Sequence, residues 1–397
     1  MTISKEQRQK LLDPYEVDCQ RGFLPEQDPL TEVPAALGAW VEIANRLPKL
    51  MLSEHLRSMV DAVPAIKIEA LKTKSELERA MLAFSFIGHA YVWGEAKPPK
   101  SLPVSLAVPW HAVAKTLGRP PVLSYASYML HNWQRLDKNG PIALGNTCLV
   151  QNFLAGVDEE WFILVHLDIE AKSGPALAAI LPAQQAVESK DAKTLLDELK
   201  TIEQALEKMY SSLLRMTERC DPYIYYHRVR PYIHGWRDHP LFPEGLIYEG
   251  VKDYQQKPQR FRGETGAQSS IIPSLDAALG IIHKDDFMRH YLNEMRDYMP
   301  PKHRAFIEAI EKGPSVRQFV IEQMGHDRSL REVYDKCVHW VEQFRSKHLE
   351  YATNYIFKQH QSSENNPHAV GTGGTPFIPY LQKHRDETAE HVLGKEK

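Results

Sequence analysis

Cysteine is scarce and scattered. Four thiols, Cys19, Cys148, Cys220 and Cys337, stand in 397 residues with no C-x-x-C pair. That spacing excludes a zinc ribbon, a redox dithiol and a disulfide-stapled scaffold, and it leads us to expect reduced thiols and a cytoplasmic protein. Charge of one sign is lacking as well. With 48 Lys and Arg against 51 Asp and Glu, the net charge of -3 gives no reason to expect nucleic acid or an anionic membrane as partner. No apolar run approaches the length that spans a bilayer, and the opening MTISKEQRQKLL has no apolar signal core. Convincing strand alternation and internal repeats are also missing. What remains is an ordinary globular composition, 43% apolar and 25% charged, over a length that exceeds the usual single core. An all-α protein of two packed subdomains is expected.

Helical spacing of apolar residues recurs at about 31–60, 68–93, 175–219 (two helices) and 274–298. VLSYASYMLHNW (122–133) reads as an aromatic helix, whereas WFILVHLDIEA (161–171) suits a buried strand or a helix and places His166 among Leu164, Val165 and Leu167. RGFLPEQDP (21–29) reads as an extended arm. Segment 95–121 holds Pro98, Pro99, Pro103, Pro109, Pro120 and Pro121. We place the subdomain boundary there, giving a smaller N-terminal unit (1–118) and a larger C-terminal one (119–397), with Asn139-Gly140-Pro141 as the alternative joint.

One stretch organises the rest. Residues 326–358 contain no proline or glycine, and Leu330, Tyr334, Cys337, Val341, Phe344, His348, Tyr351 and Tyr355 recur at steps of four and three. Seven of the eight suit a buried face. The eighth, His348, is either a core imidazole bonded to a carbonyl or a metal ligand. Arg345 lies one turn earlier on nearly the same face. An axial histidine with a cation one turn away is what a haem needs: a fifth ligand for iron and a counter-charge for a propionate. Haem can bind through a single protein ligand, so the absence of a His and Cys cluster does not count against it. No second axial ligand is signalled, and an open sixth position suits dioxygen chemistry. His166 is a core histidine or a distal residue facing bound oxygen or substrate. Arg230, beside Tyr225 and Tyr226, holds a substrate carboxylate or packs over the rings by cation–π contact. GTGGT (371–375) lacks the lysine of a P-loop and reads as a flexible lid.

Ordered segments along nearly the whole chain are similar to one family. They are RGFLP (21–25), YVWG (91–94), LAVP (106–109), PPVLSYA (120–126), HNW (131–133), RVRPYIHGW (228–236), GLIYEG (245–250), QSS (268–270), MRDYMPPKHR (295–304), PSVRQFV (314–320), RSKHL (345–349) and GTGGT. The set resembles the indoleamine 2,3-dioxygenases, haem enzymes that open the indole ring, and suggests a bacterial-type member. The resemblance implies haem b between long helices of the larger subdomain. It also implies insertion of both O2 atoms across the indole C2–C3 bond of tryptophan, or a close indole, to give N-formylkynurenine. His348 matches the proximal iron ligand, Arg345 the propionate-binding arginine and Asp276 the acid that steadies it. Arg230 matches the carboxylate-holding arginine, and Tyr225 and Tyr226 match positions, usually phenylalanine, that shape the indole pocket. Tyr125, Tyr128 and Met129 match the inner pocket wall, and Thr372 the lid residue near the substrate's ammonium group. The implied partners are the indole, O2 and an electron donor for the iron, with a monomer expected. Three features depart from the mammalian pattern: His166 replaces a small serine, as in the related tryptophan 2,3-dioxygenases; Tyr128 replaces a smaller residue, implying a tighter pocket; and the glycine pattern is altered at RGETGA (262–267). A haem-binding or gas-sensing protein of the same fold with little dioxygenase activity is the alternative. A helical scaffold without cofactor is the third reading.

Overall fold

Helices form wherever apolar residues recur at helical spacing, and the computed structural model describes them over residues 3–64, 66–323, 325–361 and 378–394. The N-terminal half holds α1 (Lys5–Leu12), α2 (Gly38–Asn45), α3 (Leu47–Leu52), α4 (Leu56–Ala62), α5 (Lys74–Trp93) and α6 (Val104–Leu117). Then come α7 (Val157–Glu188), α8 (Ala192–Leu214), and the short α9 (Pro222–Ile224) and α10 (Arg230–Ile233). The remainder is α11 (Ile271–Leu279), α12 (Phe287–Met295), α13 (Pro301–Lys312), α14 (Val316–Gln323), α15 (Arg328–Ala352), α16 (Lys358–Gln361) and α17 (Ile378–Ala389). The class is all-α. Among the described residues, strand is confined to the parallel pair β1 (Ser101–Leu102) with β4 (Ile247–Tyr248) and the antiparallel pair β2 (Gln134–Arg135) with β3 (Thr147–Cys148). No described helix is long and apolar enough to cross a membrane, and all four cysteines are free thiols.

The backbone of the C-terminal half is α7 packed along α8, α8 against α15, and α15 against α17. Helix α7 carries apolar residues on most of its faces and is buried along much of its length, though Val157, Pro175 and Gln185 are exposed. Its first turn is tied down by Glu159, whose carboxylate accepts the Phe153 and Leu154 amides at 2.7 and 2.8 Å. The ambiguous 161–171 stretch is therefore helix, and α7 continues through Pro175 and Pro182 to Glu188. Each proline forfeits one backbone hydrogen bond, but burial holds the helix together. The arm at 21–25 lies across α7 where two glycines allow contact. A Cβ on Gly174 would stand 2.4 Å from the Gln20 carbonyl carbon, and Gly22 takes φ +65° against Ser173.

Several expected helices are divided. The 31–60 stretch is three short helices, turned at Arg46–Pro48 and at Glu54, whose φ is +56°. The 274–298 stretch breaks after Leu279, where Gly280 adopts the left-handed conformation (φ +64°). The N-terminal segment, read only as polar, starts with α1, closed by a Ser4–Gln7 capping box. Residues 126–130 form one wide π-helical turn, not a long aromatic helix, with the His131 amide bonded to the Ala126 carbonyl five residues back. Two more such turns occur at Tyr225–Val229 and Thr353–Phe357.

Candidate functional site

A cavity of about 990 Å³ opens between α7, α8, α11, α15 and α17, at the upper end of the size of ligand pockets. Tyr125, Tyr225 and Tyr355 reach its wall from the three π-helical turns or the residue just before them, a setting typical of functional sites. Phe162 stacks within 4.6 Å of both His166 and Tyr225, and the Tyr225 and Tyr355 ring centres are 5.9 Å apart. The result is a continuous aromatic wall.

On α15 the stripe splits by role. Leu330, Tyr334, Cys337 and Val341 are buried away from the cavity, while Phe344, His348, Tyr351 and, on the turn that follows α15, Tyr355 line it. His348 makes no hydrogen bond among the described residues, and its side chain is exposed where the helix borders the cavity. Desolvation, with help from His166 and Arg345, pushes its imidazole down to about 4. It is therefore a neutral nitrogen donor at physiological pH. His89 provides the contrast. Its Nδ1 bonds the Tyr232 carbonyl at 2.8 Å and its Nε2 accepts the Leu123 amide at 3.0 Å, which occupies both nitrogens.

Arg345 donates to Asp276 at 2.6 Å and to the Thr388 hydroxyl, and its Nη2 lies 3.2 Å from His283 Nε2. Burial works against ionisation of Asp276, yet Arg345 and His283 hold its carboxyl down to about 2. His283 also meets Glu387 through Nδ1 at 2.9 Å and stacks on His384 at 4.2 Å. Since a carboxylate only accepts, His283 Nδ1 carries the proton and Nε2 accepts from Arg345.

Arg230 opens α10, is only 1% exposed, lines the cavity and has its guanidinium 5.4 Å from the Tyr226 ring centre. His166 Nδ1 lies 2.8 Å from the Phe162 carbonyl, and burial lowers the imidazole's pKa. The carbonyl fixes the proton on Nδ1, so the Nε2 of the neutral ring is an acceptor. The Tyr125 hydroxyl donates at 2.8 Å to Glu170, a buried acid that desolvation pushes up to about 7.

The cavity thus gathers Tyr125, His166, Tyr225, Arg230, Asp276, Arg345 and His348. Tyr128, Met129 and Tyr226, expected on the pocket wall, are not among its lining residues. In a regular helix Tyr128 and Met129 would share a face with Tyr125, but the wide turn inserts a residue and rotates them away. Tyr128 instead packs toward Phe86 and Phe153 with its hydroxyl buried, so it does not tighten the cavity. Tyr226 is fully buried, with its hydroxyl 3.4 Å from His360 Nδ1. Thr372 and GTGGT lie outside the described residues. Sequence reading missed Phe162, Tyr355, Glu170 and Glu264. Of these, Tyr355 was on the helical stripe but not recognised as wall, and Glu264 was noticed only as a changed loop.

A family model described as "Indoleamine 2,3-dioxygenase" matches residues 11–391. Indoleamine 2,3-dioxygenase 1 of Rattus norvegicus is 38% identical, covering 97% of this chain and 96% of the relative. Indoleamine 2,3-dioxygenase 2 of Homo sapiens is 35% identical (96% and 95%), and indoleamine 2,3-dioxygenase of Saccharomyces cerevisiae is 30% identical (95% and 93%). On this agreement over nearly its entire length, the chain belongs to the indoleamine 2,3-dioxygenase family.

Proposed function

We propose that the chain is a haem-dependent dioxygenase that inserts both atoms of O2 across the indole C2–C3 bond of L-tryptophan, or a close indole, to give N-formylkynurenine. The observation that carries this reading is His348: a neutral imidazole without a hydrogen bond, facing a large cavity, one turn from a guanidinium. A histidine kept only for packing has its nitrogens engaged, as in His89. The donor set fits haem b, with His348 for the iron and Arg345, steadied by Asp276, for a propionate. When bound, haem supplies the iron at which dioxygen is activated.

The chain's own residues place the substrate. Arg230, buried on the wall, offers a bidentate clamp for the α-carboxylate. Phe162, Tyr225 and Tyr355 surround the indole and keep water out, which favours a productive orientation. His166 holds its proton at Nδ1 against the Phe162 carbonyl and presents Nε2 to the cavity, where it accepts the indole N–H. Tyr128, Met129 and Tyr226 support the wall from behind. Thr372 keeps its proposed lid role from the family resemblance. The reading includes an external electron donor, a monomer, a cytoplasmic setting and a subdomain boundary near residue 118.

The test is to follow reduced, haem-loaded protein in air with L-tryptophan at the absorbance of N-formylkynurenine. Product accumulation is expected. A normal haem spectrum without product and without an indole-induced spectral change would overturn the reading in favour of gas binding.

A further inference from the structure

Away from His348, three side chains able to ligate a metal converge where α17 meets the loop after α11. His384 and Glu387 lie three residues apart on α17 and so share one face of that helix. His283 reaches them from the segment that follows Gly280. One ligand atom from each of the three lies within 4.8 Å of the others. His384 and Glu387 are 8% and 4% exposed, and His384 Nε2 is buried with no hydrogen-bond partner among the described residues.

The fold fixes them from several sides. Glu387 Oε2 faces His283 Nδ1 at 2.9 Å, while its Oε1 accepts the Lys284 amide at 3.4 Å and meets Lys383 Nζ at 3.5 Å. The Ile282 amide donates to His391 Nε2 at 3.1 Å, which ties the loop to α17. His283 and His384 stack with ring centres 4.2 Å apart. Behind His283, Asp276 Oδ2 stands 3.5 Å from Nε2. A carboxylate at the second nitrogen is the usual support of a metal-ligating histidine. The nearby cations have anions of their own: Arg345 donates to Asp276, and Lys383 to Asp286.

We propose that His283, His384 and Glu387 form a site for one divalent ion of the zinc class, separate from His348 and independent of the dioxygenase reading. Two imidazoles and a carboxylate suit such an ion, whereas Mg2+ and Ca2+ take more oxygen ligands. Ligand atoms about 2.0–2.2 Å from zinc stand about 3.4 Å apart at tetrahedral angles. The spacings of 2.9 Å and at most 4.8 Å bracket that value, so modest ring rotation closes the site. The ion takes the place of the proton that His283 Nδ1 shares with Glu387. A proton then sits on Nε2, where Asp276 accepts it, and the hydrogen bond from Arg345 to that nitrogen is given up. Three protein ligands leave the fourth position to water.

The experiment is calorimetric titration of the 397-residue chain as purified, cleared of adventitious metal with a chelator, with ZnCl2 and separately with MgCl2. One tight zinc site per chain and no Mg2+ uptake are expected. His384→Ala and Glu387→Gln should each weaken zinc by at least about 100-fold, because even an outer partner of a metal ligand is worth about 10- to 100-fold. His384→Cys, which supplies a ligand again, should recover most of the affinity. A wild type that binds no zinc, or a zinc affinity unchanged in both variants, would overturn the site. Side chains that only brace Arg345 would leave zinc binding unmoved and change thermal stability alone, which overturns it as well. If His384→Ala fails to fold, Glu387→Gln, nearly the same in shape, decides by the same two outcomes.

Discussion

The Arg345–Asp276 pair allows an energetic test that needs no turnover. Asp276 Oδ2 accepts from Arg345 at 2.6 Å, and the two side chains are 15% and 10% exposed, so solvent screens them little. The drop of the Asp276 carboxyl from 3.8 to about 2, against the opposing effect of burial, corresponds to roughly 2 kcal/mol of net stabilisation of the charged form. Because the folded-state value is depressed, this contribution is complete above about 3.8 and is lost as pH falls through about 2. Asp276→Asn alone leaves Arg345 buried without its anion and should cost about 3–5 kcal/mol, as does Arg345→Gln. The double variant should be less destabilised than the sum of the two by roughly 2 kcal/mol. Urea unfolding of the apoproteins by circular dichroism, with unchanged m values, measures this coupling, which should be the same at pH 7 and pH 5. A coupling below about 0.5 kcal/mol would refute the reasoning and reduce the pair to the level of exposed ion pairs.

Three further outcomes follow from the geometry. His348→Ala should abolish stoichiometric haem uptake, and a normal Soret band in that variant would remove the proximal assignment. Arg230→Ala should raise KM for tryptophan by about 10- to 100-fold, the scale of a lost charge-assisted contact, while haem content stays the same; an unchanged KM would overturn the clamp. His89 is buried with both nitrogens engaged and its imidazole pushed down to about 4, so between about 6.5 and 4 the unfolded chain binds a proton that the folded one refuses. Stability should fall by roughly 3 kcal/mol over that window on acidification, and the difference between wild type and His89→Gln isolates the contribution. A parallel pH dependence in the two proteins would refute it.

What the sequence made legible, and what it hid, divides along physical lines. The α15 stripe was readable because an unbroken α-helix preserves its period, so His348 could be placed among apolar neighbours from spacing alone. Arg230 was readable as a charge set among tyrosines. The π-helical turns were not, because one added residue per turn leaves no mark in the apolar pattern, and Tyr128 and Met129 sit in such a turn, off the cavity lining. The passage of α7 through Pro175 and Pro182 depends on enclosure by α8 and other neighbours far away in sequence. Glu264 was hidden for a related reason. A glutamate in RGETGA has the composition of a solvated loop, yet it is buried on the cavity wall beside the close approach of Gly263 to Gly235.

The two histidines His89 and His348 show where function separates from packing. Burial drives both imidazoles down to about 4, so desolvation and pKa alone cannot distinguish them. The difference lies in the nitrogens. His89 uses one to donate and one to accept, and protonation or metal binding would break a bond that holds α5 to its neighbours. His348 has no such bond among the described residues, and its ring borders space rather than protein. His348 is exposed to the cavity and spends neither nitrogen on the fold, so both stay available to a ligand that enters there. On that ground His348, rather than a fully engaged core histidine such as His89, is the residue around which the proposed chemistry is built.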